Sequence, residues 1–293
     1  MTALELPPEI GLPADGHRYY VLDVFTDTPL EGNQLGVFAD GRAFTDEQMQ
    51  RLARELNVAE TIFVLPPEQG GDARIRIFTP ASELPFAGHP VLGASFVVGG
   101  ALGLDEVRLE TALRVVPLRL ERAGGRVVFG WMEQAVAPWQ RYERADELLA
   151  ALGLERSLLP VEVYENGPRH VFVCLESEEA VAALSPDLGA LATHARVGAN
   201  CFAGSGKGWK TRMFAPSIGV PEDPATGSAA GPLAMHLGRH GLVPFGERIE
   251  IRQGVEMLRP SLLHACAHGT ADRIDRVEVG GSAVIVARGE YRV

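Results

Sequence analysis

The chain has 293 residues, 46% of them apolar, and carries 27 Lys and Arg against 38 Asp and Glu for a formal net charge of −11. That length holds two domains of ordinary size or one large one, and the acidic balance argues against nucleic acid, whose phosphates are bound by clustered Lys and Arg. No window approaches the ~20 apolar residues of a membrane span, the start lacks the basic-then-apolar run of a signal peptide, and Cys174, Cys201 and Cys266 form neither a CxxC pair nor a disulfide framework, so a reducing cytoplasm is the default location.

Residues 1–16, with Pro7, Pro8 and Pro13, read as a loose N-terminal extension. Strand-like runs follow at 18–25 and 34–38. A helix is predicted over 46–56, where Thr45 and Gln48 make a capping-box pair and Asn57 suits a left-handed stop. Strands at 61–65 and 73–78 lead to a helix at 90–98, then to strands at 106–120 and 126–131. Pro138 and Trp139 interrupt the pattern near 130–140. Beyond them come a helix at 144–152 ending at Gly153, strands at 161–165 and 170–175, a helix at 228–239 stopped by Gly241, and strands at 247–252 and 276–287.

The two proline-punctuated helix entries echo each other. Arg76-Ile-Phe78-Thr-Pro80, Pro85 and Gly88-His89 recur as Arg212-Met-Phe214-Ala-Pro216, Pro221 and Gly227-Ser228. Arg, Phe and both prolines share one offset of 136 residues, and the second copy adds three residues before its glycine. Strands outnumber helices, and the helices do not alternate with them as βαβ units require. The pattern predicts an α+β chain of two similar domains, 17–130 and 131–293, each a strand-rich shell around one main helix, with the last residues able to pack back on the first half. A cleft between such halves is the natural site. Two helix starts facing across it would favour a carboxylate.

Three places could carry chemistry. Asp223-Pro-Ala-Thr-Gly-Ser228 reads either as a plain turn with a helix cap or as Asp223 held beside an anion-friendly helix start. Gly88-His89-Pro90 admits the same two readings, and His89 stands where the echo has Ser228. Glu60, between the capped helix and the apolar run 62–65, is by pattern alone most simply a solvated loop residue. Other signals fail. Gly204-Ser-Gly-Lys-Gly208 lacks the spacing and the Ser/Thr of a P-loop, and no G-x-S-x-G elbow occurs. His236 and His240 stand four apart on a helix without a metalloprotease glutamate between them. His264, Cys266 and His268 would share one strand face and offer a metal three ligands without a fourth.

Asp23-Val-Phe25, Gly32-Asn33, Asn57-Val-Ala-Glu60-Thr61, Arg76-Ile-Phe-Thr-Pro80, Glu83-Leu-Pro-Phe-Ala-Gly-His-Pro90, Phe214-Ala-Pro-Ser-Ile-Gly-Val-Pro-Glu-Asp-Pro-Ala-Thr-Gly-Ser228, Gln253-Gly254 and Arg259-Pro-Ser261 run in order through nearly the whole chain from about Arg18. Together they resemble the PhzF-like family of phenazine biosynthesis. The resemblance implies a diaminopimelate epimerase-like fold of two pseudo-symmetric barrel-like halves, each around a central helix, assembled as a homodimer. It implies an isomerase of a small carboxylic acid that uses no cofactor and no metal, as in moving a proton between ring carbons of a dihydro-hydroxyanthranilic acid. The family's catalytic glutamate falls on Glu60 and its assisting histidine and aspartate on His89 and Asp223. Main-chain donors for the substrate carboxylate fall on Gly88, Gly227 and Ser228, with Asn33 also in the substrate-binding set.

Relatives of this fold that racemise amino or imino acids use two opposed thiols, and those positions hold Ala87 and Ala225 here. Alanine can be neither nucleophile nor base. The chain departs from the family pattern at Gln34 and Gly36 and at Val58-Ala59 before Glu60. Two other readings stand beside the isomerase: a metabolite-binding or protein-interaction module that keeps the fold without the activity, and a metal-dependent hydrolase built on the histidine pairs.

Overall fold

The computed structural model describes residues 16–293, so the proposed extension with Pro7, Pro8 and Pro13 lies outside the described residues. The first half of the chain runs β1 (His17–Val24), β2 (Asn33–Phe38), α1 (Asp46–Leu56), β3 (Glu60–Leu65), β4 (Ala73–Phe78), β5 (Glu83–Leu84), α2 (Gly88–Leu102), β6 (Glu106–Glu110), β7 (Val115–Ala123) and β8 (Arg126–Gln134). The second runs β9 (Trp139–Arg141), α3 (Ala145–Leu152), β10 (Glu162–Glu165), β11 (Arg169–Cys174), α4 (Glu178–Ala182), α5 (Leu188–Leu191), β12 (Val197–Ser205), β13 (Gly208–Ala215), β14 (Val220–Asp223), α6 (Gly227–Arg239), β15 (Ile249–Gln253), β16 (Ser261–Gly269), β17 (Ile274–Gly281) and β18 (Ala283–Tyr291).

The pairing pattern of the first half is repeated in the second. β1 and β2 are antiparallel, β2 and β3 parallel, β3 and β4 antiparallel, β4 and β6 parallel, and β6, β7 and β8 form an antiparallel meander. β10 to β17 follow the same sequence of pairings, with β13 and β15 as the second parallel pair. The strand after each meander crosses over: β9 adds to β10 and β18 adds to β1, while β8 pairs with β17 and joins the halves. This is an α+β fold of two pseudo-symmetric units.

Helices do connect parallel strands, four times, at α1, α2, α4–α5 and α6. The expectation that they would not fails because antiparallel hairpins lie between successive crossovers and hide the alternation along the chain. Two predicted strands are also divided. The run 106–120 turns at Thr111, whose N–H and hydroxyl both donate to Arg114 O, at 3.0 and 2.8 Å. The run 276–287 breaks at Ser282, whose carbonyl accepts from Phe25 N at 2.8 Å.

The central helices explain their own composition. α2 buries every residue from Gly88 to Phe96, and α6 every residue from Gly227 to Leu237. A helix apolar all round must be enclosed, and α2 packs on β1, β2, β3, β6, β7 and β8 while α6 packs on β11, β16 and β17. Pro232, inside α6, has no N–H to give to Ser228 O one turn earlier. The side chain of Asn166 supplies that bond instead, Nδ2 donating to Ser228 O at 2.9 Å.

Candidate active site

The first turns of α2 and α6 meet. A Cβ placed on Gly88 would lie 2.8 Å from Ser228 N and 3.0 Å from Gly227 C, and one on Gly227 would lie 3.2 Å from His89 N. Glycine at both positions is what lets the two backbones approach. Helices α1, α4 and α5 are capped by the side chains of Thr45, Ser177 and Asp187, whereas α3 has no side-chain cap and Ala87 and Thr226 cap neither α2 nor α6. No acidic residue stands in either first turn. Two sets of helix-start N–H groups and two positive dipole ends thus converge on one place, which suits a carboxylate.

Glu60, His89, Asp223 and Asn33 gather beside these helix starts. α1 ends at Asn57 with φ 50°, and the chain then opens β3 at Glu60, opposite Leu35 of β2. Glu60 Oε2 lies 3.0 Å from His89 Nε2, with side-chain exposures of 16% and 6%. That is an ion-pair distance, and neither atom has another hydrogen-bond partner among the described residues. Asn33, buried at the start of β2, donates through Nδ2 to Asp223 Oδ1 at 2.9 Å and to Ala225 O at 3.0 Å, and lies 3.4 Å from His89 Nδ1. Thr226 Oγ1 donates to the other oxygen of Asp223 at 2.6 Å. Gln253 closes the cluster, Nε2 donating to Asp223 O at 2.7 Å and Thr226 Oγ1 at 2.9 Å.

The electrostatics follow from this packing. Burial opposes protonation of His89, but the adjoining Glu60 charge and then Asp223 outweigh it, so the imidazole is held above its ordinary pKa. Asp223 is also raised, first by burial and then by Glu60, against the opposing pull of His89, Thr226 and Asn33. A histidine that favours its proton therefore sits between two carboxylates.

The loop before Asn33 is held by one guanidinium. Arg259 donates to the carbonyls of Gly32 at 3.0 Å, Leu30 at 2.9 Å and Glu31 at 2.7 Å, and to Asp23 Oδ1 at 2.6 Å. Asp23 Oδ2 in turn accepts from Leu30 N at 2.7 Å. Asp23, Gly32 and Arg259, distant in sequence, are one device that places Asn33.

Gly227 and Ser228 carry further contacts that sequence reasoning missed. Gln134 Nε2 donates to Gly227 O at 2.8 Å, and His170 Nε2 lies 3.0 Å from Ser228 Oγ. The 136-residue offset maps His170 onto Gln34, next to Asn33. That correspondence is the one sequence signal that could have found it.

The rejected motifs have ordinary places. Gly204–Gly208 is the turn between β12 and β13. His264 packs edge-on against Phe129, while His268 Nε2 meets Glu278 at 2.9 Å, so those side chains do not converge. His236 and His240 do gain a glutamate, from β10 rather than from their own helix: Glu162 Oε2 lies 3.2 Å from each. Arg239 Nη1 reaches the same oxygen at 2.7 Å and already supplies positive charge there. The thiols of Cys174 and Cys201 are pushed up by burial to about 11 and about 12, and that of Cys266 is raised by the same cause. Ala87 and Ala225 immediately precede the two helix starts, counting Thr226 as the cap of α6. Among the described residues, no helix is long and apolar enough to cross a membrane.

Comparison with known proteins adds four findings. The family model for phenazine biosynthesis-like proteins matches residues 22–289. The chain is similar to the trans-2,3-dihydro-3-hydroxyanthranilate isomerase of Pseudomonas aeruginosa, 54% identical over 273 residues that cover 93% of this chain and 98% of that protein. Its fold is that of a Bacillus anthracis phenazine biosynthesis protein of the PhzF family, with a TM-score of 0.83 at 22% identity over 95% of this chain and all of the other. A hydroxyproline epimerase from Agrobacterium vitis shares the fold at a TM-score of 0.64 and 14% identity, over 96% and 93% of the two chains.

Proposed function

Because the chain belongs to the phenazine biosynthesis-like family and is an isomerase, we propose that its substrate is trans-2,3-dihydro-3-hydroxyanthranilate and that Glu60 moves the proton. The carboxylate of that acid docks against the backbone N–H groups of Gly88, Gly227 and Ser228, and this fixes a ring carbon under Glu60. Glu60 takes the proton from one ring carbon and returns it to another, leaving an enol that becomes the ketone. His89 and Asp223 hold the charge of the site as Glu60 changes its own. A protonated His89 steadies the Glu60 carboxylate before transfer, and Asp223, held by Asn33 and Thr226, keeps His89 charged.

The observation that carries this reading is the pair Glu60 Oε2 and His89 Nε2: 3.0 Å apart, buried, and with no other hydrogen-bond partner among the described residues, beside two uncapped helix starts. Buried polar atoms are normally paired. A carboxylate oxygen and an imidazole nitrogen that have only each other, beside two helix starts open to an anion, suit a reacting ligand.

The test is Glu60→Gln, which keeps shape and hydrogen-bonding reach but removes the transferable proton. Turnover should fall by about 10²–10⁴-fold, while affinity for 3-hydroxyanthranilate, an aromatic analogue that cannot isomerise, stays within a few-fold. A variant that isomerises at the wild-type rate overturns the mechanism. A wild-type chain that binds the acid and never converts it supports the binding module instead.

The division into 17–130 and 131–293 belongs to the same proposal, supported by the repeated pairing order and by the return of β18 to β1, as expected of the last residues. So does a homodimer, which light scattering of the purified chain checks.

A further inference from the structure

The Ser228 side of the cleft holds a buried histidine that takes no part in proton transfer at Glu60. Ser228, His170 and Asn200 are 8%, 3% and 2% exposed. His170 Nε2 lies 3.0 Å from Ser228 Oγ, and His170 Nδ1 lies 3.4 Å from Asn200 Nδ2. The same Asn200 nitrogen donates its other hydrogen to Gly198 O at 2.8 Å, which fixes the amide with its NH₂ toward the ring.

An amide nitrogen only donates, so Nδ1 of His170 must accept. A neutral imidazole that accepts at Nδ1 carries its hydrogen on Nε2. Burial holds this ring neutral, its pKa pushed down to about 4. The Nε2–H therefore donates to Ser228 Oγ. The serine hydroxyl, its lone pair engaged, is left with its own hydrogen to give elsewhere.

This tautomer decides between two roles. A serine, histidine and asparagine in line can form a nucleophilic triad, but only if the histidine nitrogen facing the serine is a bare acceptor able to take its proton. Here that nitrogen bears the hydrogen, so Ser228 is oriented rather than activated.

We propose that His170, fixed by Asn200, aims the Ser228 hydroxyl as a side-chain donor to the substrate's carboxylate, making His170 a positioning residue for acid recognition. The proposal rests on the reading that this site takes a small carboxylic acid. It adds a side-chain donor to the backbone N–H groups of the helix starts. Because a carboxylate is present in both the ground state and the transition state, the contribution falls on binding: KM rises on its loss while kcat is little changed.

The experiment measures calorimetric affinity for 3-hydroxyanthranilate and for its carboxamide at pH 7.5, in the wild type, His170→Phe, His170→Gln, Ser228→Ala and the His170→Phe/Ser228→Ala double variant. The wild type should prefer the acid. His170→Phe and Ser228→Ala should each lose about ten- to a hundredfold in acid affinity, with the carboxamide affected far less. The double variant should lose no more than Ser228→Ala alone. His170→Gln, whose amide nitrogen stands near the place of Nε2, should restore most of the preference.

If His170→Phe and His170→Gln keep the wild-type preference, or if acid and amide weaken alike in both, His170 does not position Ser228 and the proposal is overturned. Should His170→Phe fail to fold, shown by loss of its thermal transition, His170→Gln and Ser228→Ala still decide: the proposal stands only if glutamine retains the preference that the serine variant loses. A wild type that does not distinguish acid from amide sinks the carboxylate site itself. A wild type that distinguishes them without turnover leaves the His170 test intact and removes only the choice of substrate.

Discussion

Replacing Gly88 by alanine tests the carboxylate site at its closest backbone approach. The new Cβ would lie 2.8 Å from Ser228 N and 3.0 Å from Gly227 C, about 0.6 Å inside ordinary contact with the nearer atom. Both neighbours are backbone in the first turn of a buried helix, so no flexible side chain can yield, and the two helix starts must separate. Overpacking of this kind costs about 1–3 kcal/mol, and alanine's helical advantage over glycine returns about 0.5–1 kcal/mol. The net loss of stability should therefore be modest, about 1 kcal/mol. Binding should suffer more: misplacing one N–H that serves a charged acceptor forfeits about 1.5–3 kcal/mol, or about ten- to a hundredfold in affinity for 3-hydroxyanthranilate. Gly100→Ala is the matched control, exposed on the same helix with nothing among the described residues within 4 Å of its added Cβ. It should stabilise slightly and leave affinity unchanged. Urea titration and calorimetry on both variants make the comparison. Unchanged acid affinity in Gly88→Ala would refute the reasoning that these helix starts hold the carboxylate.

Asn33→Leu removes the donor shared by Asp223 Oδ1 and Ala225 O. Leaving buried acceptors unpaired should cost about 1–3 kcal/mol in urea unfolding and lower kcat by tenfold or more, and a fully active, fully stable variant would show that Asn33 is dispensable. His170 sets a dependence on acid. Its pKa is about 4 in the folded chain against about 6.5 unfolded, so stability is fully present above about 6.5 and is lost as pH falls toward 4, by about 3 kcal/mol in all. Denaturant unfolding from pH 7 to 4 should show a shallower decline in His170→Gln than in the wild type, and parallel declines would place the titrating group elsewhere.

What the sequence discloses depends on how far apart the interacting residues lie. The capping box of Thr45 and Gln48 and the left-handed Asn57, φ 50°, are local, and both appear as the sequence pattern predicts. The 136-residue echo corresponds to a repeated pairing order because equal strand and loop chemistry was kept in both copies. β12 escaped notice because seven of its nine residues are buried in a row and most are small, so no alternation marks it. The Glu162 that joins His236 and His240 stands 74 residues upstream of the nearer one, and no spacing rule within a helix could supply it. Asn166 is likewise invisible until Pro232 is seen to leave Ser228 O without its helical donor. The two helix starts that meet were legible from glycines; the side chains that surround them come from β2, β3, β11, β12, β14 and β15, and only the fold brings those together.

The duplicated backbone and the unequal side chains divide the work of the site. The two-fold repeat provides helix starts from both copies, each opened by a glycine, and a planar carboxylate with two oxygens matches donors arriving from two sides. The titratable groups do not share that symmetry. His89 and Ser228 stand at equivalent helix positions, yet one lies against Glu60 and the other against His170. On the first side a carboxylate adjoins a histidine held toward its charged form; on the second a histidine held neutral adjoins a hydroxyl. Inverting a carbon centre requires a proton acceptor and a proton donor on opposite sides of it, which is what paired thiols before both helices would provide. Alanine stands at both of those places, and the remaining cysteines are buried with raised pKa values. Glu60 on the first side, with Asp223 held by Asn33 beside it and a neutral donor on the other side, fits a reaction that takes a proton from one carbon and returns it to another along the same face.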